Sequence, residues 1–178
     1  MLTPKTAQPN MLKTEEETTA MAKKLKKIGL ILALILYLFT LLWYTIGNYR
    51  TPSYIYSVNF VPFRTIIGDA VKEGTLGDAA SVWHTIKYNV LNLLMLVPLG
   101  VLLPLITEKL KTYKRFLWFP LLLSIFIELT QYVFHIGACD VDDVILNFAG
   151  ASIGFFVVYL LREYNHSRRK SNGRNLSG

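Results

Sequence analysis

Apolar residues in this chain run on for many positions at a time, instead of alternating or recurring along one helical face. Four such stretches stand out, at 28–46, 90–106, 116–136 and 144–161. Each is about 17–21 residues long, the length a helix needs to cross a hydrocarbon core of ~30 Å. In lipid the backbone N–H and C=O groups must bond within their own segment, so stretches of this kind are helices. The pattern predicts an all-α integral membrane protein with four transmembrane helices. A polar and basic tail (1–27) precedes the membrane domain (28–161), and a basic tail (162–178) follows it. Residues 1–22, with an acidic run at Glu15–Glu17, read as disordered or weakly helical.

The first apolar stretch follows Lys23, Lys24, Lys26 and Lys27, as a secretory signal would. Its apolar run is too long for a signal core, and no small-residue cleavage site follows near Gly47 and Asn48, so it reads as an uncleaved helix. The loop after it is rich in aromatics: Tyr49, Tyr54, Tyr56, Phe60 and Phe63, residues suited to the headgroup level of a bilayer. Within that loop, Ile66, Ile67, Ala70 and Val71 fall on one helical face, away from Arg64, Asp69, Lys72 and Glu73. This predicts a short amphipathic helix over 64–73 lying on the membrane surface. Gly74 and Gly77 break it, and a new helical start at Asp78 carries Trp83, His84 and Tyr88 into the second span. Pro98 and Pro104 predict a kinked second helix. Gly150-Ala-Ser-Ile-Gly154 in the fourth allows close backbone approach, within the bundle or between two copies.

Composition changes the picture only through charge. The chain is 52% hydrophobic with a formal net charge of +7. The cations border the apolar stretches, and no nucleic-acid motif accompanies them, so the surplus reads as membrane orientation and not as nucleic-acid binding. Lysine and arginine crowd the N-terminal tail, the loop with Lys109, Lys111, Lys114 and Arg115, and the C-terminal tail with Arg162, Arg168, Arg169, Lys170 and Arg174. Four crossings put all three on one side, which the positive-inside rule makes cytoplasmic. A single cysteine, Cys139, excludes an intramolecular disulfide and a cysteine zinc cluster.

Ionisable residues inside an apolar span are costly and point to function. In the third helix Glu128, Gln131 and His135 share one stripe, with Glu128 roughly 12 Å from the outer end by the helical rise. Asp140, Asp142, Asp143 and Asn147 open the fourth helix, Asn89 and Asn92 lie near the start of the second, and the outer loop supplies Asn59 and Arg64. Four segments thus send polar groups to one level of the membrane. Each residue also has a plainer role. Asp140 suits a helix cap, the amides suit interhelical hydrogen bonds, and His135 suits the interfacial belt. Carboxylates with a histidine suit zinc or manganese, but the spacing fits no metal motif, and no cofactor fingerprint is present.

These residues resemble the VanZ-like family. The segments that carry the likeness are Asn89-Val-Leu-Asn-Leu-Leu-Met-Leu-Val-Pro-Leu-Gly100, Ser124-Ile-Phe-Ile-Glu-Leu-Thr-Gln131 and Asp140-Val-Asp-Asp-Val-Ile-Leu-Asn147 with Gly150. Val58-Asn-Phe-Val-Pro-Phe63 adds to it upstream. Asn92 and Met95 depart from the family pattern. The resemblance implies a bacterial cell-envelope protein giving low-level resistance to the glycopeptide teicoplanin. It carries the pattern onto Asn89, Pro98, Gly100, Glu128, Gln131, Asp140, Asp143, Asn147 and Gly150. With Arg64 added as a phosphate holder, the expected pocket comprises Glu128, Gln131, Asp140, Asp143, Asn147, Asn89 and Arg64. Its expected partners are membrane lipid and a lipid-linked wall precursor or lipoglycopeptide. An enzyme or transporter handling such a precursor, and a structural membrane scaffold, are the alternatives.

Overall fold

The computed structural model describes residues 8–47, 58–69, 71 and 79–175. Four helices in it are long and apolar enough to cross a membrane, at Lys13–Ile46, Val82–Ile106, Tyr113–Val133 and Val141–Lys170. The chain is therefore a multi-pass membrane protein.

Helix α1 (Gln8–Leu42) continues into a π-helical turn, Trp43–Gly47. The second span is divided into α2 (Ala79–Met95) and α3 (Val97–Ile106) at Leu96. Pro98 lacks the N–H that the Leu94 carbonyl would accept, which is why the helix breaks there. The third span is α4 (Tyr113–Phe116) and α5 (Trp118–Val133), interrupted at Leu117 for the same reason, with Pro120 as the missing donor. Helix α6 (Val141–Asn175) is continuous. Between the spans, β1 (Val58–Asn59) pairs in parallel with β2 (Cys139–Asp140), Val58 opposite Cys139 and Asn59 opposite Asp140.

Some expectations change. The N-terminal tail is helical from Gln8, where a disordered or weakly helical segment was expected, and α6 runs unbroken into the basic C-terminal tail. The surface helix expected over 64–73 is π-helical over Arg64–Asp69, and residues 70 and 72–73 lie outside the described part. So do Tyr49, Tyr54, Tyr56, Gly74, Gly77 and Asp78, whereas Phe60 and Phe63 are exposed.

Lipid is as apolar as leucine, so helices in a membrane associate through close packing and hydrogen bonds. Helix α6 is the centre of this bundle, packed against α2, α3 and α5. A Cβ at Gly150 would overlap the Leu93 carbonyl, one at Gly154 the Val97 carbonyl, and one at Gly100 the Ala151 carbonyl. The small-residue stripe of α6 is thus used inside the bundle, against α2 and α3. Leu96, Leu99, Leu103, Phe116, Ile127, Ala151 and Phe155 form the buried core. Helix α1 packs chiefly on α3, and its π-helical end meets α5. At the end of the bundle far from the strands, Tyr113 donates to or accepts from Ser152 (3.0 Å), and Arg162 Nη2 donates to the Pro104 carbonyl (2.6 Å).

Candidate functional site

The strand end of the bundle gathers the acidic residues, and each has a distinct attachment. Asp140 caps α6: its Oδ1 accepts the Asp142 N–H at 2.8 Å and the Asn59 amide at 2.9 Å. Its Oδ2 accepts the Thr65 hydroxyl. Asp142 reaches into the preceding loop instead, accepting the N–H groups of Phe63, Thr65 (2.7 Å) and Ile66 (3.2 Å). Together with the β1–β2 pairing, these two carboxylates fasten residues 58–66 onto the start of α6. The clamp holds Phe63 at φ 64°, a left-handed conformation that costs an aromatic residue energy.

Asp143 points the other way, into the bundle. Its Oδ2 accepts the Tyr88 hydroxyl and its Oδ1 the Asn92 amide, both at 2.6 Å. Tyr88 and Asn92 are four residues apart on α2, so both face the same carboxylate. Glu128, on α5, is 3% exposed and accepts the Asp140 N–H on Oε2 at 3.1 Å. Gln131, one turn on, donates to the Thr45 carbonyl at 3.1 Å, fixing the π-helical end of α1. The hydroxyl of Tyr37 donates to the Met95 carbonyl at 2.7 Å, beside the break between α2 and α3.

Between α1, α2 and α5 these residues leave a cavity of about 500 Å³. Glu128, Asp143, Asn92, Tyr88 and Gln131 give it a polar side, while Leu41, Leu91, Leu94, Met95 and Ile127 give it an apolar one. Thr40, Tyr44, Leu91 and Leu94 stand at its mouth, exposed on membrane-spanning helices. These exposed lining residues lie on the sides of the spans, toward the region lipid would occupy in a membrane. One turn deeper from Glu128 and Asp143 lie Ser124 and Asn147, whose side-chain polar atoms are buried with no hydrogen-bond partner among the described residues.

Seven residues were expected in the pocket. Glu128, Gln131 and Asp143 line the cavity. Asp140 holds its rim through the loop clamp, and Asn147 is fully buried behind it. Asn89 is half-buried on α2 and does not line the cavity; Asn92, one turn further along, makes the bond to Asp143. The Arg64 side chain is exposed, and among the described residues no ion pair joins it to these carboxylates. The stripe Glu128–Gln131–His135 also needs correction. Helix α5 ends at Val133 and His135 sits at φ 57°, so it leaves the stripe. That early end puts Glu128 about 7.5 Å from the helix terminus, shallower than the ~12 Å expected. Tyr88, Tyr37 and Thr45 were not foreseen, although the Tyr88–Asn92 spacing already placed two polar groups on one helical face. Among the described residues no three His, Cys, Asp or Glu side chains are arranged to hold a metal ion.

Outside the membrane spans, the Cys139 thiol is pushed up from its ordinary range, first by burial and then by the nearby Glu128 and Asp140 carboxylates.

One curated relative, "Protein VanZ" of Enterococcus faecium, is 33% identical over 85 residues, which cover 48% of this chain and 48% of the relative. The match thus spans about half of that protein's length. No solved structure matches. A sequence profile of VanZ/LLP1 matches residues 28–162, from within α1 to the middle of α6 and including every residue of the cavity. The chain belongs to the VanZ/LLP1 family.

Proposed function

We propose that the protein confers low-level resistance to teicoplanin, a glycopeptide with an acyl chain, by engaging an amphiphile in the cavity at the membrane surface. The observation that carries this reading is the pairing of a lateral apolar mouth with a polar floor, which suits a molecule with both a tail and a polar head. The family resemblance supplies the phenotype. In this reading both termini are cytoplasmic and the strand end faces outward. The clustering of Lys109, Lys111, Lys114, Arg115 and Arg162 at the opposite end of the bundle supports that orientation. The amphiphile is then the drug itself or the lipid-linked wall precursor.

The test is susceptibility of a sensitive Gram-positive host expressing the chain. Raised tolerance to teicoplanin, with vancomycin tolerance unchanged, is expected, because only the former carries the acyl chain that the lateral mouth suits. No change from a well-expressed protein would contradict the proposal.

A second reading is enzymatic handling of a lipid-linked headgroup. It is favoured by two carboxylates on one cavity, Glu128 and Asp143, with different hydrogen-bond partners, an arrangement that allows one to act as acid and the other as base. It predicts an altered lipid or precursor profile on expression without drug. A profile identical to that of cells carrying an empty vector would remove it.

A further inference from the structure

We propose that the cavity selects an amphiphile with a primary ammonium head, which enters sideways from the bilayer between α1 and α2, and that it disfavours phosphate heads. This deepens the proposed role of the same site and rests on that reading for its biological meaning, though not for its chemistry. Three independent features point to a cationic head. Among the described residues, the only ionisable acids lining the cavity are Glu128 and Asp143, and none of its lining residues is Lys or Arg. Asp143 is already served by Tyr88 and Asn92, but Glu128 uses only Oε2 within the protein. Its Oε1 accepts no hydrogen bond from the described residues, on a side chain 3% exposed that lines the cavity. An acceptor in that position is completed by a donor carried in on the ligand. Lastly, Tyr37, Tyr44 and Tyr88 line the same space, and aromatic rings favour an ammonium group and not an anion.

The route follows from the mouth. Thr40 and Tyr44 on α1, and Leu91 and Leu94 on α2, are exposed on helices that cross the membrane. An acyl chain resting between them stays in hydrocarbon while the head reaches Glu128. A phosphate would meet two carboxylates with no Lys or Arg among the described lining residues to offset them, and Arg64, the expected phosphate holder, does not line the cavity.

The experiment is photolabelling of the full chain in lipid nanodiscs with a dodecylamine carrying a diazirine in its alkyl chain, with adducts mapped by mass spectrometry. Adducts should concentrate at Thr40, Tyr44, Leu91 and Leu94. Excess dodecylamine should reduce them about tenfold, and dodecyl phosphate at the same concentration should not. Leu94→Trp, an exposed change that leaves the core intact, should block labelling, and Glu128→Gln should weaken the preference for amine. Labelling spread evenly over the outward faces of all helices, or equal competition by dodecyl phosphate, would overturn the inference. The outcome is separable from the resistance role. Labelling at the cavity without drug tolerance would retain the ammonium site and retire the resistance reading. Drug tolerance without cavity labelling would do the reverse.

Discussion

The backbone N–H of Asp140 donates to Oε2 of Glu128 at 3.1 Å, joining the most buried acid of α5 to the residue that caps α6. One carboxylate of the acidic turn thus supports the loop, while the acid behind it faces the cavity. Their roles differ although they touch: Asp140 is spent on structure, and Glu128 retains an oxygen that no described residue bonds.

Asp142 has the most structural role of the three aspartates. Replacing it with alanine would leave the N–H groups of Phe63, Thr65 and Ile66 without their acceptor. Losing a charged acceptor shared by three part-buried donors should cost about 1–3 kcal/mol. Hydrogen exchange would register this as faster exchange at Thr65 and Ile66, with the amides of α3 and α6 unchanged. Uniformly faster exchange would mean that the clamp holds the whole bundle.

Phe63 has the opposite sign. Its left-handed backbone is strained for an aromatic residue, and its side chain is 52% exposed, so little packing would be lost on removal. Phe63→Gly should stabilise the 58–69 segment by roughly 0.5–1 kcal/mol after the added freedom of the unfolded chain is deducted. Slower proteolysis within that segment is the expected readout.

Gly150 crosses α2 at the Leu93 carbonyl, where there is no room for a side chain. Gly150→Val should separate α6 from α2 at a cost of about 3 kcal/mol or more, read as a lowered Tm in detergent. Gly29, which has open space where its Cβ would stand, is the matched control, and Gly29→Ala should leave Tm unchanged or slightly raised.

Cys139 offers a chemical probe of Glu128. Because its pKa is raised, a smaller share of the thiol is thiolate at a given pH, so iodoacetamide should modify it more slowly than a free cysteine at pH 8. Glu128→Gln removes one of the carboxylates that raise it and should speed the reaction. An unchanged rate would show that burial and Asp140, not Glu128, set the reactivity.

The sequence carried the four spans because their length is dictated by bilayer thickness, and it carried the convergence of Glu128, Asp143 and Asn147 because adjoining helices present their ends at one level. It placed the glycines of α6 only generally, since a stripe of small residues does not name its partner; the carbonyls of Leu93 and Val97 do. His135 escaped because helical spacing was extended two residues past the true end of α5. Asn92 departs from the family pattern and is not among the expected pocket residues, although its spacing from Tyr88 makes them a pair on one face. Arg64 was assigned by proximity in sequence, and side-chain direction in an irregular loop is not readable from spacing.

The most direct test of the account is teicoplanin susceptibility with Glu128→Gln beside the wild type at equal protein level. Glutamine keeps an oxygen to accept the Asp140 N–H, so the fold should persist while one of the two carboxylates lining the cavity is lost. The account predicts that wild-type cells tolerate more teicoplanin and that the variant returns them to the level of cells without the protein. Full tolerance in the variant would contradict it, and would mean that the carboxylate serves packing and not the working site.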